Sequence, residues 1–306
     1  MNGRFAIVDD GEKFEPGRRR GAADRRGLHG RQTLLERVGR RWRDQRQHRG
    51  RIKRPRTLNG ESLFQIHSAR DCFGALQLSL AQRRDATELM DADDLPAETY
   101  AAVVADLAKV NVVTLAARPT LAFLARRTTG GGRYRLLDVG FGDGDMLRRI
   151  EAWGMRRGIA FDLVGIDLNP RSEAAARAHT PPGSVIDWRT GDYADLAGEG
   201  WDFIVSSLVA HHMTIDHLVA FLRFMDREAR GGWLVNDLHR YGFAYAGWPL
   251  LAGLMRWHPI VRHDGTLSIA RSYRPAEWPP LLAEAGISHA RVFRAFPFRL
   301  CVERLR

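Results

Sequence analysis

The sequence predicts an α/β protein with a seven-stranded, mostly parallel sheet, helices on both faces and an antiparallel last strand. Three observations predict it. Short apolar runs alternate with helix-patterned segments between Tyr134 and Asn236, as in a parallel sheet covered on both sides. The first of these runs passes straight into a glycine-rich turn and then a helix. Two further runs, 290–295 and 298–303, flank Phe296-Pro297 and close the sheet as an antiparallel pair.

In chain order, residues 1–85 form a basic leader. They hold 21 Lys+Arg against 10 Asp+Glu; subtracting from the totals of 47 and 36 leaves 26 and 26 for 86–306, so the whole formal charge of +11 lies in the leader. Arg18-Arg19-Arg20 and the run from Arg37 to Arg56 dominate it, with little apolar content to offset ordering entropy, so it is expected to be largely disordered. Its bland reading is a solvated tail or an extension from a mis-set start. Glu61 to Leu80 holds one short helical pattern.

Residues 86–129 read as a helical N-terminal segment. Tyr100, Val103, Val104, Leu107, Val110 and Leu115 recur at three- and four-residue spacing, predicting a helix over 97–117, and Pro119 opens a second one through Arg127. Residues 130–306 form the main domain. Its strands are expected at 134–139, 161–166, 184–189, 201–206 and 232–236, a helix at 215–230, and a last helix over 275–285 stopped by Gly286.

The chemistry concentrates at the strand ends. Asp138-Val139-Gly140-Phe141-Gly142-Asp143-Gly144 places glycines at every second position, removing Cβ atoms that would keep a ligand from the backbone. The spacing departs from the G-x-G-x-x-G of dinucleotide sites, and an acid at Asp138 suits a cationic ligand better than a pyrophosphate. Asp167 ends the second strand 23 residues after Gly144, placed to accept bonds from ribose hydroxyls, and Asp192 follows the third.

Asp138, Gly140, Gly142 and Gly144, with Asp167 and Asp192, resemble the motifs of class I S-adenosylmethionine-dependent methyltransferases over roughly residues 95–304. The resemblance implies a Rossmann-like methyltransferase sheet and S-adenosyl-L-methionine as cofactor. It implies cofactor contacts from Asp138, Gly140, Phe141, Gly142, Gly144, Asp167, Leu168, Asp192, Tyr193 and Ser207, with Asp192 on the adenine amino group. It also implies that residues 86–129 form a lid; simple packing on the sheet edge is the alternative.

After strand four, Ser206-Ser207-Leu208-Val209-Ala210-His211-His212 lacks the Asn/Asp-Pro-Pro-Tyr/Phe tetrapeptide of many base-methylating enzymes. It resembles the loop of ubiquinone/menaquinone-biosynthesis-type enzymes and others acting on phenols or polyketides. The expected function is methylation of an oxygen or carbon of a small aromatic, quinol-like or polyketide-derived acceptor. A histidine can take a phenol's proton, so His211, His212 and His239 are the candidate bases. Helix capping is the bland reading for each. No metal is expected, because two adjacent histidines lack a third ligand at helix spacing.

The uncharged stretch 241–255, within an insertion near 238–275, reads as a buried helix, with Phe243, Tyr245, Trp248 and Trp257 walling an acceptor pocket. Core packing, a homodimer contact or peripheral membrane association are its alternatives; it is too short for a transmembrane span. Two cysteines and no apolar leader suit a reducing cytoplasm. From another class, a non-catalytic cofactor-fold scaffold or nucleic-acid-associated protein would grip an anionic partner through the Arg-rich leader. Sparse aromatics and no recognisable nucleic-acid module count against that reading.

Overall fold

The computed structural model describes residues 80–92 and 94–306. Expectations for the leader up to residue 79, including its short helix, lie outside these residues.

Helices α1 (Ala97–Val113) and α2 (Arg118–Ala125) precede strand β1 (Arg133–Val139). Then come α3 (Asp145–Arg157), β2 (Ala160–Asp167), α4 (Pro170–His179), β3 (Asp187–Thr190) and β4 (Phe203–Ser207). The chain continues through α5 (Ile215–Glu228), β5 (Gly232–Leu238), α6 (Gly242–Leu254), α7 (Pro259–Arg271) and α8 (Trp278–Glu284) to the hairpin β6 (Arg291–Ala295) and β7 (Arg299–Leu305). The sheet order is β3-β2-β1-β4-β5-β7-β6, with β7 antiparallel to both neighbours. The predicted fold class holds.

Alternation along each central strand sorts side chains between two cores. Leu137, Ile204, Trp233 and Val235 pack on one face with Phe221 and Leu222 of α5 and Leu281 of α8. Leu136, Phe203, Val205 and Leu234 pack on the other with Phe123 and Leu124 of α2 and Leu147 and Ile150 of α3. Phe123 meets Phe203 edge-on at 5.8 Å. Asn236 of β5 donates to Ala116 O at 2.8 Å and Thr120 Oγ1 at 3.2 Å. The segment between the predicted helix ends is thus bolted to the sheet, and α2 is core rather than an overhanging cover.

Several expectations are corrected. The helix predicted over 97–117 ends at Val113, because Leu115 takes a positive φ of 51° before α2 begins. The third strand starts at Asp187 rather than Ser184, whose hydroxyl is held by Glu151. Asp237 and Leu238 belong to β5 rather than to the loop after it.

Helix α7 was not foreseen, and its buried face explains why. That face includes Asp264 and Ser268, whose partners come from far upstream: Asp264 accepts from the backbone N–H groups of Leu89 and Met90, both at 2.9 Å. A helix that buries polar residues shows no apolar period in sequence.

The expected buried helix at 241–255 exists as α6, but Phe243, Leu250 and Leu254 are 61%, 79% and 77% exposed. Only one side is covered. There Ala252 packs with Val103, Val261 and Trp257, and Trp257 stacks on Trp248 at 5.5 Å. The two tryptophans expected to wall a pocket therefore pack on each other. No single helix among the described residues is long and apolar enough to cross a membrane.

Residues 80–85 of the segment read as leader pack on the main domain. Leu80 is 1% exposed and its carbonyl accepts from the buried Arg240 at 3.0 Å. Arg83 donates to Arg271 O, His211 O and the Tyr273 hydroxyl.

Candidate active site

The ends of β1 and β4 meet at a small cleft lined by Asp138, Gly140, Phe141, Asp143, Ser207 and Leu208, with Asn111 of α1 and Ala116 of the α1–α2 connection on its other side. The three motif glycines all have positive φ, but they do different work. A Cβ on Gly140 would stand 2.3 Å from Val209, and one on Gly144 would stand 2.3 Å from Trp188. Only Gly142 faces open space. Close packing within the protein therefore requires two of the glycines, while the third leaves its side of the turn open.

Gly142→Ala, confined to the cost of left-handed backbone, should destabilise the protein by about 1–2 kcal/mol. Gly144→Ala adds the collision with the buried Trp188 and should cost more. Denaturant unfolding of both variants checks the order, and an equal or reversed cost would contradict it.

Asp138 is 1% exposed, and its Oδ1 has no hydrogen-bond partner. Burial, assisted by the charge of Asp167, pushes its pKa up to about 7. A carboxylate held this way awaits a cationic or hydrogen-donating partner. Ser207 Oγ, on the same cleft, is likewise buried and unpartnered. Asp167 accepts from Gly142 N at 2.9 Å and Asn169 N at 2.8 Å; burial raises its pKa despite these bonds. Leu168 beside it is 63% exposed.

Asp192 is exposed and accepts from Ala194 N at 2.9 Å. Tyr193 packs between Phe221 and Phe224, with ring centroids 4.9 Å from each, and burial raises its pKa.

The histidines separate into two places. His211, 2% exposed, holds Asp237 at both ends: Nδ1 lies 2.7 Å from Asp237 Oδ1, and its backbone N donates to Oδ2 at 2.8 Å. Burial acts to raise the pKa of Asp237, but the His211 ring and these hydrogen bonds outweigh it and hold the carboxylate below its usual range. His211 Nε2 has no hydrogen-bond partner. It lies 3.6 Å from Oε1 of Glu88, itself 3% exposed.

His212 lies alongside, its ring centroid 4.3 Å from that of His211. Its Nε2 is 3.7 Å from Glu88 Oε2 and its Nδ1 is 3.3 Å from Asp91 Oδ2. Burial pulls its pKa down, but the Asp91 and Glu88 carboxylates more than offset that and raise it. His239 stands apart from this pair, stacked on Tyr241 at 5.5 Å. Burial and the charges of Arg294, Arg274 and Arg240 lower its pKa to about 4, so it is neutral and weakly basic.

Sequence reading missed Glu88, Asp91 and the pairing of Asp237 with His211. Glu88 sits in an acidic stretch with no motif and reaches the site only because the 3-10 turn Leu89–Asp91 docks on α7. For Asp237 a signal existed: two polar residues, Asn236-Asp237, end an otherwise apolar strand.

Residues 136–232 match the family model of the methyltransferase domain. Among solved structures, human N-acetylserotonin methyltransferase in complex with SAM aligns at 16% identity and a TM-score of 0.52, covering 78% of this chain and 68% of that one. PigF with SAH aligns at 20% identity and 0.42, covering 56% of this chain and 50% of that one, so the matched part spans half of PigF. Magnesium protoporphyrin IX methyltransferase from Synechocystis PCC 6803, with bound SAH, aligns at 15% identity and 0.42, covering 78% and 97%. No curated protein matches by sequence. The first of these likenesses supports the fold.

Proposed function

We propose that this chain, whose residues 136–232 match the family model of the methyltransferase domain, is an S-adenosylmethionine-dependent methyltransferase acting on an oxygen or carbon of a small aromatic, quinol-like or polyketide-derived molecule. The observation that carries this reading is a pair of incomplete polar sites on one stretch of chain, four residues apart at Ser207 and His211. One is the glycine cleft with the unpartnered Asp138 and Ser207; the other is His211, whose unpartnered Nε2 is backed by Asp237.

The cleft residues fit the cofactor. Asp138 and Ser207 offer buried acceptors to its amino acid end, Gly142 leaves room for its close approach, and Asp167, Leu168, Asp192 and Tyr193 lie along the strand ends where its nucleoside would be held. When bound, S-adenosylmethionine supplies an electrophilic methyl group on a sulfonium sulfur. The protein's part is to align the acceptor and exclude water. Asn111 lines the cleft from α1, which supports α1 serving as its cover.

On the acceptor side, Asp237 fixes the His211 ring and favours a proton on Nδ1, leaving Nε2 free to take a proton from a hydroxyl or carbon acid. His212, held by Asp91, helps orient the acceptor. His239, neutral and paired with Tyr241, is the weakest of the three as a base. A cytoplasmic site of action is proposed with this; the one described cysteine, Cys301, is a buried free thiol whose pKa burial pushes up to about 12.

Calorimetry tests the cofactor assignment. The protein should bind S-adenosylmethionine and S-adenosylhomocysteine and ignore NAD, and the converse pattern would overturn it. Methyl-labelled cofactor offered to a panel of phenols, quinols and polyketide-derived pyrones would then identify the acceptor class.

A further inference from the structure

The His211–His212–Glu88 cluster has more order than proton transfer needs. Both imidazoles direct Nε2 toward the same carboxylate, at 3.6 and 3.7 Å, and both turn Nδ1 to a carboxylate of their own, Asp237 and Asp91. One ligand atom from each of Glu88, His211 and His212 falls within 4.8 Å of the other two. This is the arrangement of metal-ligating histidines, whose second nitrogen is oriented and made more basic by an outer carboxylate.

We propose that Glu88, His211 and His212 bind one divalent transition cation of Zn²⁺ type through Glu88 Oε2 and the two Nε2 atoms. Ligand bonds near 2.0–2.1 Å require the three atoms to stand roughly 3.3 Å apart, so shifts of less than about 1 Å complete the site. Two imidazoles and one carboxylate select a first-row transition cation over Mg²⁺, which prefers oxygen ligands.

The charge balance is favourable. Glu88, Asp237 and Asp91 surround the position, against the guanidiniums of Arg83, on the His211 carbonyl oxygen, and of Arg271, at 3.5 Å from Glu88 Oε1. Ser268 also donates to that oxygen at 2.8 Å, leaving Oε2 for the cation. His211 Nε2 is buried and without a hydrogen-bond partner, so binding there displaces no hydrogen bond within the protein.

Three protein ligands leave a position open, as in catalytic rather than structural sites. This deepens the acceptor-side reading and rests on it. With a cation bound, His211 Nε2 would serve as a ligand in place of its proton-accepting role, and the cation would acidify a hydroxyl acceptor, whose proton would pass to solvent.

The test uses full-length protein stripped with a chelator and titrated with Co²⁺ as the spectroscopic probe. Visible d–d absorption should saturate at one equivalent, be displaced by Zn²⁺ and persist in excess Mg²⁺. Glu88→Gln and His212→Asn should each weaken binding by at least about 100-fold, beyond the 10–100-fold typical of losing an outer partner. Binding of S-adenosylhomocysteine, measured on the same samples, reports the fold and the cofactor site separately.

Absence of a one-equivalent Co²⁺ site in wild-type protein that binds S-adenosylhomocysteine would overturn the cation proposal and leave the methyltransferase reading standing. So would Co²⁺ binding that neither substitution changes, since that would place the metal on other histidines. Loss of S-adenosylhomocysteine binding in the wild type would instead strike the cofactor reading.

Discussion

Replacing His211 with alanine is expected to lower methyl-transfer turnover by roughly 10²–10⁴-fold, the range for removing a positioned acid–base group, with the affinity for S-adenosylhomocysteine nearly unchanged. The polar side-chain partners of His211 are Asp237 and Glu88 rather than the glycine turn, and its ring is tied to β5 through Asp237. Alanine also strands a buried carboxylate, which costs stability. His211→Asn is the sharper variant, because its amide can still donate to Asp237 where Nδ1 does while Nε2 is lost. Steady-state kinetics and calorimetry on both variants decide the matter. An asparagine variant with turnover within a few-fold of wild type would remove His211 from the mechanism.

The second large effect is a trade between stability and binding at Asp138. Its pKa is about 7 in the folded protein and near 3.8 in the unfolded chain. Between those values the folded state holds a proton that the unfolded state has released, so stability is fully present below about 3.8 and falls as pH rises through 7. At 1.36 kcal/mol per unit, the loss approaches about 4 kcal/mol at pH 8.

Asp138→Asn abolishes that loss. The ligand-free variant should unfold at a higher denaturant concentration than wild type at pH 8, with the difference vanishing near pH 4. The same change should weaken S-adenosylmethionine binding by about 1–3 kcal/mol, through loss of a charged acceptor. A variant that is less stable at pH 8, or binds the cofactor as well as wild type, would show that Asp138 is a structural carboxylate.

The strands of the sheet, most of the helices between them and the glycine turn with its neighbouring acids were legible in the sequence. Those features are written locally. A buried strand shows as an apolar run, and Asp138, Gly140, Gly142 and Gly144 lie within seven consecutive residues. Asp167 follows at the tip of the next strand, where topology brings it to Gly142 without any further information.

The surroundings of the histidine pair came from tertiary packing. His211 was legible as a candidate, but its partner Asp237 lies on a different strand and Glu88 on a turn held by α7. The sequence likewise misjudged α6, since uniform apolarity does not say which face finds a partner, and Leu250 and Leu254 stay exposed while Ala252 is buried. The division has one physical cause. Strand and turn signals arise from neighbours along the chain, whereas a buried carboxylate beside a histidine arises from packing between distant segments, whose desolvation and charge pairing leave no periodic mark on either one.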